Sequence, residues 1–129
     1  MTKIKLGIYG SAEGDMDKIM PLADQLAKVL SGYADQLILV TGACRGIPYR
    51  VISEAAPSGI EIWGYSAEID RAALEAAAPE DDHSIYTKLE FVPEDFPFID
   101  KDRPRKKYRN VISTASCDAG ITSLYPHST

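Results

Sequence analysis

Three times in succession, a short apolar run breaks at small or turn-forming residues and gives way to a helix-like pattern. Lys3 to Tyr9 reads K-I-K-L-G-I-Y, with Ile4, Leu6 and Ile8 alternating as a half-buried strand requires. Gly10-Ser11-Ala12-Glu13-Gly14 interrupts it. A helix is predicted from about Asp15 to Leu30, where Ile19, Leu22, Ala23, Leu26 and Leu30 form one apolar stripe. Asp15 and Asp17 suit the positive end of its dipole. Pro21 shifts the expected ordered start toward itself, and Gly32 is the expected C-cap.

Gln36 to Thr41, Q-L-I-L-V-T, is almost continuously apolar, the pattern of a strand buried on both faces. Gly42-Ala43-Cys44-Arg45-Gly46-Ile47-Pro48 then opens a second helix through about Ala56, with Pro48 in its first turn and Pro57-Ser58-Gly59 ending it. Ile60 to Tyr65 is a third strand and Glu68 to Ala78 a short helix. Pro79 to Asp102 is expected to be an irregular excursion holding one strand near Lys88 to Val92. Asp102 is positioned to cap a last helix from about Arg103, with a stripe of Tyr108, Val111, Ile112 and Ala115, before a strand over Asp118 to Thr122. Alternating strands and helices imply parallel strands joined by right-handed crossovers. The expected architecture is α/β, a three-layer sandwich in one domain spanning residues 1–129, with no internal repeat.

Composition limits the function classes. The 45% hydrophobic and 26% charged content is that of a globular chain and excludes a disordered one. No apolar run approaches the roughly 20 residues of a membrane span, and the N-terminus enters a strand pattern rather than a signal-peptide core. Cys44 and Cys117 lack metal-ligand or C-x-x-C spacing and read as reduced thiols, so a cytoplasmic location is expected and no metal site. The net charge of −5 opposes nucleic-acid binding. The basic burst Lys101, Arg103, Arg105, Lys106, Lys107 and Arg109 is either a solvated helix face or an anion site, and only Tyr108 is interleaved for stacking on bases.

Two loops that follow strands have the character of ligand contacts, because open parallel sheets bind beyond their carboxyl ends. In the first, Gly10 admits close backbone approach and Ser11 adds a hydroxyl, with Ala12 beside them. In the second, Thr41, Gly42, Arg45 and Gly46 lead into a helix whose free N–H groups favour an anion, and Arg45 can add a charge-assisted bond. The usual dinucleotide and P-loop fingerprints are absent.

The succession G-I-Y-G-S-A, helix, L-V-T-G-A-C-R-G-I-P, helix, I-E-I-W-G-Y-S resembles the LOG-like proteins. These are also called lysine-decarboxylase-like, a Rossmann-fold nucleotide-binding group that includes the molybdenum cofactor carrier proteins. The resemblance continues at Tyr108-Arg109-Asn110-Val111-Ile112-Ser113 and at Ser116-Cys117-Asp118-Ala119-Gly120-Ile121, and covers roughly residues 3 to 121. It implies that Gly10 and Ser11 touch a nucleotide and that Thr41, Gly42 and Gly46 line the cleft. Arg109, with Asn110 beside it, would contact phosphate or sugar. In the group's hydrolases, which release a base from a nucleoside monophosphate, the matching arginine works with a glutamate, so Arg109 is the one catalytic candidate here.

One departure bears on activity. The group's D-A-x-I strand is followed by P-G-G-x-G-T-x-x-E, which supplies a phosphate cradle and the catalytic carboxylate. Here Ile121 leads into T-S-L-Y-P-H-S-T, which reads as a truncation or frameshift product. Glu13, Glu54, Glu61 and Asp118 do not occupy the matching position, and His127 is a substitute base only in principle. The expectation is therefore a module that binds a nucleotide or a nucleotide-like cofactor without catalysis. Two alternatives stand beside it: a phosphoribohydrolase with a substitute carboxylate, and an interaction protein whose site is a relic. Surface that further helices would cover predicts a homo-oligomer. The ligand is left open between AMP-like nucleotides and a pterin such as molybdenum cofactor.

Overall fold

The computed structural model describes residues 2–10, 16–43, 46–92 and 104–122. In chain order the elements are β1 (Ile4–Tyr9), α1 (Met16–Ser31), β2 (Leu37–Thr41), α2 (Ile47–Ala55), β3 (Glu61–Ser66), α3 (Arg71–Ala77), β4 (Lys88–Phe91), α4 (Pro104–Ala115) and β5 (Ala119–Thr122). The strands form one parallel sheet in the order β4-β3-β2-β1-β5. The chain steps outward from β1 to β4 and then returns to the far side of β1, so its order reverses between β1 and β5.

Strand pairing assigns each side chain to a face. Ile8, Leu39 and Ile62 point into a core shared with Ala23, Ala27 and Leu30 of α1 and Val51, Ile52 and Ala55 of α2. Ile38, Val40 and Tyr65 point the other way and pack with Ile112 and Cys117 at α4. Leu39 and Val40 are both fully buried, which is why β2, at the centre of the sheet, is apolar without alternation. Burying such a side chain contributes about 1.5–3 kcal/mol. The result is the three-layer α/β arrangement.

Several local details depart from the sequence reading. α1 starts at Met16 and carries Pro21 within it. The proline lies just past the first turn, where the missing N–H forfeits a single bond. Ala23, Ala27 and Leu30 are buried while Leu22 is 66% exposed, so the buried stripe is rotated from the expected one. Gly32 does not adopt a left-handed cap. Its N–H donates to the Val29 carbonyl at 3.1 Å and Tyr33 donates to Leu30 at 2.9 Å, so the helix ends in tightened turns. α3 begins at Arg71 because the Asp70 carboxylate accepts the Ala73 N–H at 2.8 Å.

On α4, Val111 is 65% exposed, and Ile112 and the fully buried Ser113 face inward. The inner face of that helix is thus partly polar. The expected cap at Asp102 and the stripe residue Tyr108 lie outside the described side chains. Away from α4, the same sheet face carries charge and aromatics rather than a bare apolar surface. Lys88 Nζ sits 4.3 Å from the Trp63 ring centre and Lys5 Nζ 5.6 Å from it. The Trp63 indole N–H donates to Glu61 at 2.7 Å.

Candidate functional site

β2 delivers Thr41 and Gly42 to the carboxyl edge at the centre of the sheet. Thr41 is 1% exposed, and among the described residues its hydroxyl has no hydrogen-bond partner. A buried, unpaired hydroxyl is costly in a folded protein, and at the mouth of a parallel sheet it is available to a ligand or water. The backbone turns sharply just beyond. Ala43 has φ 49°, a left-handed value unusual for a residue with a Cβ, and Gly46 has φ 103°. Gly46 precedes α2, whose second residue is Pro48, so the first turn points free N–H groups at the same edge.

α4 brings a cation onto this turn. Arg109 Nη1 donates to the Gly42 carbonyl at 3.0 Å, and its Nε donates to Asn110 Oδ1 at 2.9 Å. Two of the five guanidinium donors are thereby committed to holding the side chain in place, and the others remain for an anion. Ser113 and Cys117 continue the inner face of α4 toward β1. The Tyr9 hydroxyl lies 3.3 Å from Thr114 Oγ1 and 3.4 Å from Cys117 Sγ. Burial, reinforced by the Cys117 contact, pushes the Tyr9 phenol above its ordinary pKa and keeps it protonated. Cys117 is a free thiol that donates to the Ser113 carbonyl at 3.0 Å.

Arg109 also forms part of the wall of a cavity of about 340 Å3. Tyr65 and Ser66 from the end of β3, Lys88 and Glu90 from β4, and Ile112 from α4 share that wall. Ser66 is buried and holds the following loop by accepting the Glu68 N–H at 3.0 Å.

Of the residues singled out from the sequence, the structure brings together Thr41, Gly42, Arg109 and Asn110. Gly46 directly precedes α2, and Gly10 directly follows the neighbouring strand β1. Ser11, Ala12, Cys44, Arg45 and His127 lie outside the described residues. Asp118 has a structural role: its carboxylate accepts the Lys5 N–H at 2.9 Å, and its own N–H donates to the Lys5 carbonyl at 2.8 Å. Sequence reasoning missed Tyr65, Ser66, Lys88 and Glu90. The available signal was that Tyr65-Ser66 ends β3 as Thr41 ends β2, while Lys88 and Glu90 were hidden by treating residues 79–102 as an excursion. Among the described residues no group of three metal-ligating side chains converges, and no helix is long and apolar enough to cross a membrane.

Two solved structures share this fold. The structural-genomics target TM1055 superposes with a TM-score of 0.61 at 12% identity, over 95% of this chain and 60% of that one. The Moco carrier protein of Chlamydomonas rheinhardtii superposes with a TM-score of 0.52 at 13% identity, over 95% of this chain and 79% of that one. The fold is Rossmann-like. This Rossmann-like chain thus spans about 60% of the length of the TM1055 chain, and it agrees in fold with the group its sequence resembles. No family model and no curated protein matches the sequence.

Proposed function

We propose that this chain is a binding module for a phosphate-bearing, nucleotide-like ligand held at the carboxyl edge of the sheet. The observation that carries the reading is the seating of Arg109 on Gly42, which presents a pre-oriented guanidinium beside the N-terminus of α2. The unpartnered Thr41 hydroxyl and the likeness in fold to a Moco carrier protein support it. Isothermal titration with AMP, ATP and NAD tests it. Saturable binding is expected, weakened at least about tenfold in Arg109→Ala, the loss of a charge-assisted bond to phosphate. Absence of binding at millimolar ligand overturns it.

A second reading, hydrolysis of a nucleoside monophosphate, is favoured by one observation: Glu90 shares a cavity wall with Arg109. There a carboxylate could assist water while the arginine steadies the phosphoribosyl end. Release of base from AMP, lost in both Arg109→Ala and Glu90→Gln, would establish it.

The module is further proposed to act as a homo-oligomer. Leu22, Val29 and Tyr33 are 66%, 59% and 52% exposed and recur at i, i+7 and i+11, on one side of α1 and the turn after it. Packing against the same stripe of a second copy would take these side chains out of water, so the occupant proposed is a second copy of the chain. Sedimentation velocity at micromolar concentration is expected to show a dimer or larger species that Val29→Lys dissociates. A monomer throughout would overturn the proposal.

A further inference from the structure

We infer that the cavity between β3, β4 and α4 receives the ring of a flat organic anion whose anionic group is held by Arg109. This deepens the proposed function and rests on it, since Arg109 belongs to both sites. The cavity, about 340 Å3, is near the lower end of the range of roughly 300–1,000 Å3 for small-molecule pockets, which suits a mononucleotide-sized ligand rather than a dinucleotide.

Its walls divide by chemistry. Tyr65, Phe91, Val92 and Ile112 supply apolar and aromatic surface, while Lys88, Glu90 and Arg109 are ionic. Tyr65 and Val92 are buried, so their side of the cavity is fixed by the core. Arg109 reaches the cavity from α4 and Lys88 from β4, so two basic side chains line it beside the apolar ones. Lys88 is itself positioned by its neighbours. Its Nζ lies 5.8 Å from the Tyr65 ring centre, 4.3 Å from that of Trp63 and 3.9 Å from Glu90 Oε1. Glu90 partly neutralises this ammonium and adds an acceptor, so a bare anion gains less here than a ligand that also carries a ring and a donor such as a sugar hydroxyl or ring N–H. A ligand with all three features satisfies the walls at once. Inorganic phosphate satisfies Arg109 alone, and adenosine leaves both cations unanswered.

The experiment uses the full chain with labelled isoleucine and valine methyls and backbone amides, titrated separately with AMP, inorganic phosphate and adenosine. AMP is expected to move the Ile112 and Val92 methyls together with the Gly42 amide, and phosphate to move the Gly42 region alone. Adenosine is expected to bind at least about tenfold more weakly than AMP, and Lys88→Gln to weaken AMP by a similar factor, as for a lost charge-assisted contact. AMP shifts confined to Gly42 and Gly46, with the Ile112 and Val92 methyls unmoved, would overturn this inference and leave the proposed function standing. Phosphate moving those methyls as strongly as AMP would overturn the role of the ring. No shift with any of the three at millimolar concentration would overturn both.

Discussion

Arg109 lies directly across Gly42. Its Nη1 donates to the Gly42 carbonyl at 3.0 Å, and a Cβ built at position 42 would stand 3.0 Å from Arg109 Cδ, 3.1 Å from Nη1 and 3.2 Å from Cζ. A helix from late in the chain is thereby registered on the end of the central strand, and glycine is what permits so close an approach.

Gly42→Ala is therefore expected to shift the guanidinium by a few tenths of an ångström on its seat while leaving the sheet intact. AMP affinity should fall, by less than in Arg109→Ala, with the urea midpoint nearly unchanged. Titration and urea unfolding of the same preparation separate the two effects. Unchanged affinity would mean that Arg109 does not need this seat.

Asp118 holds β5 against β1 through paired bonds to the backbone of Lys5. Asp118→Ala removes the side-chain acceptor and should cost about 0.5–1.5 kcal/mol, the ordinary net value of one hydrogen bond. Asp118→Asn retains an acceptor and should recover most of that loss. Hydrogen exchange at the Lys5 amide is the local readout, with faster exchange expected in Asp118→Ala and near-native exchange in Asp118→Asn.

The Asp118 result illustrates what the sequence could and could not reveal. The succession of strands, the central place of β2 and the turn at Gly42 were legible, because alternation, continuous apolarity and glycine spacing are local signals. The role of Asp118 was not. A short D-A-x-I motif does not say whether its carboxylate faces a ligand or the neighbouring strand, and that depends on pairing between residues more than a hundred positions apart. The cavity wall at Lys88 and Glu90 was hidden for a related reason, since their place beside Arg109 exists only once β4 joins the sheet and α4 crosses it. The inner face of α4 was misread because its buried positions include Ser113, which no apolar stripe reports.

Asp24 and Arg50 tie α1 to α2. Arg50 Nε donates to Asp24 Oδ1 at 2.9 Å and Nη2 to Oδ2 at 3.2 Å, and Nη2 also lies 3.2 Å from Glu54. The hydrogen bonds from Arg50 hold the Asp24 carboxyl below its ordinary pKa. In the acid range the unfolded chain therefore binds this proton first. The stabilisation is fully present above the unfolded value of about 3.9 and is lost as pH falls through the lower folded value. Melting temperature measured from neutral pH downward should decline less steeply below about pH 4 in Asp24→Asn than in the wild type. Parallel acid profiles would show that this exposed pair does not couple to folding.

The last prediction concerns the strand that carries the cavity wall. Before β4 begins, Thr87 completes the edge of the sheet with its side chain. Its Oγ1 accepts the Ile62 N–H at 3.1 Å and donates to the Ile62 carbonyl at 2.9 Å, while its own N–H donates to the same carbonyl at 2.8 Å. Thr87→Val preserves shape and β-branching but removes the acceptor. The Ile62 carbonyl keeps its backbone partner, but its N–H, on a residue that is fully buried, loses the only acceptor described for it. An orphaned buried donor costs about 1–3 kcal/mol, so the urea midpoint should fall at an unchanged m value. Thr87→Ser, which keeps the hydroxyl, should lose much less. Because Lys88 and Glu90 follow directly on β4, Thr87→Val should also weaken AMP more than Thr87→Ser does. A Thr87→Val variant as stable as wild type would mean that water replaces the hydroxyl at the edge of β3.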